Sequence, residues 1–96
     1  MFAIVLAPEA VADLRALKAD IRSRVQTALE AHLRHEPTKA SRSRIKRLSG
    51  LNRPQYRLRV GEVRVFYDVS GSTVEILAIV AKSEAAAWLS EFGNHA

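Results

Sequence analysis

The sequence predicts one small α+β domain, residues 1–96, in the order β-α-α-β-β-β-α, with a mostly antiparallel sheet and a helical hairpin packed on one face. Three observations predict it. An apolar run at the start gives way to apolar residues spaced by three and four. Residues 56–69 then alternate apolar and polar about a Gly61-Glu62 dipeptide, and a segment at 74–81 that is apolar but for Glu75 follows. Ninety-six residues, 48% of them apolar, suffice for one core and leave no room for a separate second domain.

FAIVLA, residues 2–7, has the length and composition of a strand and ends at Pro8, which suits the first turn of a helix. Glu9 in that turn complements the positive end of the helix dipole. Val11, Leu14, Leu17, Ile21, Val25, Ala28, Leu29 and Leu33 then recur on one helical face. The spacing admits one long helix or a helical hairpin. We expect a hairpin broken near residues 20–23 with Asp20 as N-cap, because two short helices cover a small sheet more readily than one of about 25 residues. Pro37 ends the helical segment, and Gly50 and Pro54 punctuate the connection that follows. That connection is long for so small a domain, which points to a functional loop or partial mobility.

The segment YRLRVGEVRVFYDV, residues 56–69, predicts a β-hairpin with glycine in the first position of a two-residue turn. Pairing Val60 with Val63 sets Arg59 opposite Arg64 and Arg57 opposite Phe66, and sends Tyr56, Leu58, Val65 and Tyr67 to the other side. Like charges directly across a strand pair repel. The arginine face must therefore stay partly wet or meet anions, since unpaired guanidinium groups are costly to bury. After a turn at SGST, residues 70–73, the strand at 74–81 is apolar on both sides and belongs in the sheet interior. Simple alternation has Val74, Ile76, Ala78 and Val80 facing the helices and Leu77 and Ile79 beside Phe66 and Arg64. Ser83 is placed to cap a last helix that runs to Phe92 and stops at Gly93.

Fifteen Lys and Arg against ten Asp and Glu give a formal charge of +5. From Arg34 to Arg53 the chain carries Lys39, Arg42, Arg44, Lys46 and Arg47 between those two arginines, against the single acid Glu36. Such a run is either a solvated loop that aids solubility or a surface for a polyanion, nucleic acid or acidic protein. With no cysteine, disulfides and thiolate chemistry are excluded. His32 and His35 lack the further ligands that zinc would need, so helix-surface or dipole roles are expected of them. The opening MFAIVLAPEA has no basic region of the kind a signal peptide needs, and no apolar run is long enough for a membrane span, which makes a cytoplasmic location the expectation.

The stretches KRLSGLNRPQYRLRVGEVRVFYDV (46–69) and VEILAIVAKS (74–83), with the element order, resemble the RelE/ParE superfamily of toxins from bacterial type II toxin-antitoxin modules. The likeness is greatest to the RelE branch, with Val63 in place of the aromatic residue often found before the arginine. The resemblance implies a metal-independent endoribonuclease that cuts messenger RNA in the ribosomal A site by attack of a 2′-hydroxyl on the adjacent phosphate, with no cofactor. It implies that Arg64 contacts the scissile phosphate and that Arg57 and Arg59 contact the flanking backbone or ribosomal RNA. Lys39, Arg42, Arg44, Lys46, Arg47 and Arg53 would hold RNA or ribosome. The implied partners are a cognate antitoxin, in a hetero-oligomer, and the ribosome with its mRNA. Two positions depart from the pattern: Ser83 and Leu89 stand where such nucleases place an arginine and a tyrosine. Lys82 can supply the missing charge, and Trp88 can stack on a base or, the preferred reading, anchor the last helix. The alternatives are a ParE-like DNA gyrase inhibitor and a degenerate toxin homologue that binds antitoxin as a co-repressor.

Overall fold

The computed structural model describes residues 1–95. Strand β1 (Ala3–Leu6) lies parallel to β6 (Thr73–Ala81), and β5 (Val63–Ser70), β4 (Tyr56–Val60) and β2 (Ile45–Arg47) continue the sheet antiparallel, in the order β1-β6-β5-β4-β2. Helices α1 (Pro8–Ala16) and α2 (Ala19–Ala28) follow β1, and α3 (Ala85–Phe92) follows β6. A two-stranded ribbon of β3 (Leu51–Arg53) and β7 (Asn94–His95) stands apart from the main sheet. Among the described residues, no helix is long and apolar enough to cross a membrane.

The helical hairpin forms, but it breaks at Leu17 and Lys18 rather than at residues 20–23, and Lys18, not Asp20, is the N-cap of α2. Both break residues are extended, with ψ of 149°. The last carbonyls of α1 are satisfied from the second helix: Arg22 Nη1 donates to the oxygens of Arg15 and Leu17 at 3.3 Å each. Asp20 sits inside the first turn of α2, where a carboxylate suits the dipole without capping. A π-helical turn, Leu29–Leu33, extends α2 and keeps Val25, Leu29 and Leu33 on one buried line.

That line packs on one sheet face. Leu58, Val65, Tyr67, Val74 and Ile76 are fully buried beneath it, joined by Ile45, Val63 and Ile79. In β6 the expected alternation holds for Val74 and Ile76 and then inverts. Phe66 pairs with Ala78 but Tyr67 with Ile76, so Leu77 is an extra residue in a β-bulge. As a result Ile79 enters the helix-side core, while Ala78 and Val80 share the far face with Phe66 and Arg64. Beyond the end of β1, Asp13 of α1 accepts a hydrogen bond from the Ile79 N–H at 2.9 Å.

Tyr67 is the largest fully buried side chain, and its hydroxyl donates to the Pro37 carbonyl at 2.7 Å, tying the end of the helical segment to the core. Burial, and secondarily Tyr56, pushes its phenol well above the usual range. Its folded pKa is raised, so it favours folding fully below the unfolded value of about 10, and that contribution is lost as pH climbs from there towards the folded value. Thermal unfolding between neutral and strongly alkaline pH should show a steeper loss in wild type than in Tyr67→Phe. At neutral pH the variant should be less stable by about 1 kcal/mol, because the Pro37 carbonyl loses its donor.

Helix α3 begins through a 3₁₀ turn, Lys82–Glu84, and Ser83 makes no side-chain cap; Glu84 is the N-cap. Gly93 does end the helix, its N–H donating to the Leu89 carbonyl at 2.9 Å, and a Cβ there would lie 2.5 Å from that oxygen. Past it the chain pairs with β3 instead of fraying, so His95 sits opposite Leu51.

Candidate functional site

The face of the sheet away from α1 and α2 is where the polar side of the alternation lands. Observed pairing in the hairpin is the expected one: Arg59 opposite Arg64, Arg57 opposite Phe66, Val60 opposite Val63. Gly61 takes a positive φ of 56°, which a glycine-first two-residue turn requires. The edge strand β2 adds a partner absent from the predicted hairpin, since Lys46 stands directly across from Arg57. Two rows of side chains result: Lys46, Arg57, Phe66 and Ala78, and beside it Arg59, Arg64 and Val80.

Helix α3 covers part of this face. Trp88 stacks on Phe66 with ring centroids 5.0 Å apart and planes within 5°, and Phe92 tilts against Trp88 at 5.5 Å. Trp88 therefore anchors the helix. Leu77 at the bulge, Pro54, Trp88 and Phe92 line a cleft together with Ala7, Glu9 and Arg53.

The three arginines differ in environment. Arg64 is only 6% exposed, and its Nη1 donates to the carbonyls of Gly61 at 2.8 Å and Val63 at 3.0 Å, so its guanidinium is locked to the turn. Arg59 is exposed. Arg57 is half-buried, and its Nε is buried with no hydrogen-bond partner among the described residues. Burial, then Arg64, then Arg59 hold its guanidinium below the usual arginine range. No carboxylate among the described residues forms an ion pair with Lys46, Arg57, Arg59 or Arg64. Desolvated cations with an open donor and no counter-charge are what an oxyanion stabilises.

The arrangement also lowers stability. Charging Arg57 is harder in the fold than in the unfolded chain, and since its folded pKa is depressed, that penalty applies in full at neutral pH. Arg57→Met should raise thermal stability, by up to about 1 kcal/mol for a relieved like-charge pair, while weakening any binding of polyanions. Denaturant titration of the two proteins checks the sign.

The other basic positions separate into groups. Lys82 is exposed, and its N–H donates to Glu62 at 2.8 Å, which brings it to the same turn that anchors Arg64. Arg44 is exposed at the entrance to β2, its carbonyl accepting from the Arg59 N–H at 2.9 Å, and Arg42 is exposed on the same loop. Lys39 pairs with Glu36 at 3.3 Å on the surface. Arg47 lies on the opposite side of the sheet edge from Lys46, donating to the Gln55 carbonyl at 2.8 Å with its guanidinium 5.2 Å from the Tyr56 ring centre. Arg53 is held by Asp68 at 3.5 Å and Glu75 at 3.2 Å. Burial raises the Asp68 pKa, against the Gln55 N–H and Arg53, which lower it. Ser83 is exposed and Leu89 half-buried. No cluster of three or more metal-binding side chains occurs among the described residues.

Residues 4–86 match the family described as the ParE toxin of the type II toxin-antitoxin system, parDE. No curated protein matches the chain significantly. Among solved structures, the RelB-RelE antitoxin-toxin complex from Methanococcus jannaschii aligns with a TM-score of 0.66 and 22% identity, over 88% of this chain and 96% of that one. The archaeal RelE-RelB complex from Pyrococcus horikoshii gives 0.69 and 23%, over 84% and 94%. The toxin-antitoxin complex RelBE2 from Mycobacterium tuberculosis gives 0.64 and 25%, over 83% and 96%. At these identities the first two likenesses speak to the fold, and the family match covers most of the chain. The chain belongs to the ParE toxin family of the RelE/ParE superfamily, and is a toxin of a type II toxin-antitoxin system.

Proposed function

We propose that this toxin acts on RNA, inhibiting translation by cleaving ribosome-bound messenger RNA through the face that carries Arg57, Arg59 and Arg64. The observation that supports it most is the buried, unpartnered Nε of Arg57 beside two further arginines with no carboxylate in reach among the described residues. Attack of the 2′-oxygen on phosphorus, its proton passing to water, breaks the bond to the 5′-oxygen, which takes a proton from water, and leaves a 2′,3′-cyclic phosphate and a 5′-hydroxyl. Negative charge builds on the phosphoryl oxygens as this happens. The locked Arg64 and the underused Arg57 are placed to receive it, while Arg59 and Lys46 hold the flanking backbone and Lys82 adds charge from the adjoining turn. Arginine keeps its proton at neutral pH, so these residues contribute charge and position rather than a base.

The partner is a cognate antitoxin, in line with the antitoxin-bound relatives, and an acidic segment of it would neutralise this face. A second reading, inhibition of DNA gyrase, is favoured by the ParE identity of the matching family and by Ser83 and Leu89 in place of arginine and tyrosine. Inducing the toxin in cells while following amino-acid incorporation and plasmid supercoiling separates the two. The RNA-directed reading expects incorporation to fall first with supercoiling unchanged; early loss of supercoiling with translation intact would establish the other.

A further inference from the structure

A second group of basic side chains lies off the arginine face, where the π-helical turn meets the loop leading into β2. His32, His35, Lys39 and Arg44 line an open cleft of about 190 Å³ there, with Ser41 and Glu36. We propose that this cleft is a phosphate-binding site, with Arg44 and His32 as its principal donors. The proposal rests on the RNA-directed reading only for the source of the phosphate, a polynucleotide backbone continuing past the sheet edge, as against a free phosphate.

Four features support it. Ser41 Oγ accepts the N–H groups of Arg44 and Ile45, both at 3.1 Å, which fixes the loop and leaves its own proton to donate. Glu36, the one acid in the cleft, is engaged by Lys39 at 3.3 Å. The carbonyl end of the helical segment would repel an anion, but the Arg34 oxygen is taken by the Phe2 N–H at 2.7 Å and the Glu36 oxygen by the Lys39 N–H at 3.3 Å. Finally, the Arg44 carbonyl is bonded to the Arg59 N–H at 2.9 Å, so the cleft adjoins the arginine-bearing strand.

His32 is a built-in reporter. Its imidazolium is disfavoured by burial and then by Arg44, so at neutral pH the ring is mostly neutral in the unliganded site. A bound phosphate places negative charge beside the ring, which favours the imidazolium and raises its pKa. The charged groups facing it are those of the cleft: Arg44, His35, Lys39 and Glu36.

The test is an NMR pH titration of the histidine rings of the intact protein in inorganic phosphate and in chloride at equal ionic strength. The expected result is a rise in the His32 pKa of about half a unit or more in phosphate. It should be abolished in Arg44→Ala, partly restored in Arg44→Lys, and retained in Arg64→Ala. Amide spectra of each variant verify the fold. No phosphate-specific shift, or a shift unchanged in Arg44→Ala, overturns the site. A short single-stranded RNA that moves the same His32 signals supports a backbone phosphate as the source; RNA without effect beside a positive phosphate arm supports a free phosphate. Because Arg64→Ala is expected to lose toxicity yet keep the His32 response, failure of the RNA-directed reading and failure of this site are told apart.

Discussion

Arg64→Ala is expected to abolish growth inhibition while leaving a folded protein. The alternation of the hairpin alone argues that losing a cation opposite Arg59 costs no stability and relieves repulsion. Structure adds an opposing contribution, because the guanidinium is 6% exposed and donates to the Gly61 and Val63 carbonyls. The net change should be a loss of less than about 2 kcal/mol, too small to unfold a domain of ordinary stability. RNA or ribosome binding should weaken and its dependence on salt flatten, because one fewer phosphate contact releases fewer counterions. Induced growth curves paired with thermal melts check both halves. A variant that stays toxic removes Arg64 from the site, and one that fails to fold shows that its role is structural.

Leu58→Ala should lower stability by about 2 to 5 kcal/mol. Leu58 is fully buried on the strand next to the sheet edge, between Ile45 on one neighbouring strand and Val65 on the other, with the helical line above. Truncation leaves a cavity that the two flanking strands cannot close by moving. A loss of this size takes up much of the stability of a typical domain, so the variant should sit near its unfolding transition at growth temperature. Urea unfolding should show a lower midpoint with an unchanged slope. A cost below about 1 kcal/mol would mean that the site relaxes freely and that the packing described for it is wrong.

The contrast between these two substitutions shows what the amino-acid sequence makes legible. The hairpin could be read residue by residue because Gly61 pins the turn and strict alternation on both sides leaves one register that buries Leu58, Val65 and Tyr67 together. The facing of Arg57, Arg59 and Arg64 followed from that register. In β6 the same reasoning met no polar residue after Glu75: with apolar side chains on both faces from Ile76 on, nothing in the composition marks Leu77 as a bulge, and the inversion that brings Ile79 into the core was invisible. Strand β2 escaped for the opposite reason. Three residues with one apolar side chain, Ile45, are too short for alternation to register, so the place of Lys46 beside Arg57 emerged only from the pairing. Asp20 looked like a cap because capping chemistry is local, whereas the break is set by Arg22 reaching back to the end of the preceding helix. Charge counting likewise could not separate Arg53, engaged by Asp68 and Glu75, from the unpaired arginines of the hairpin.

The central claim is that the arginine face engages the phosphodiester backbone of messenger RNA, and the most direct measurement is mapping of mRNA ends on purified, programmed ribosomes exposed to the toxin. New ends are expected within the A-site codon with wild type, none with Arg64→Ala, and strongly reduced cleavage with Arg57→Met. Intact mRNA with folded wild-type toxin, or equal cleavage by wild type and Arg64→Ala, would contradict it.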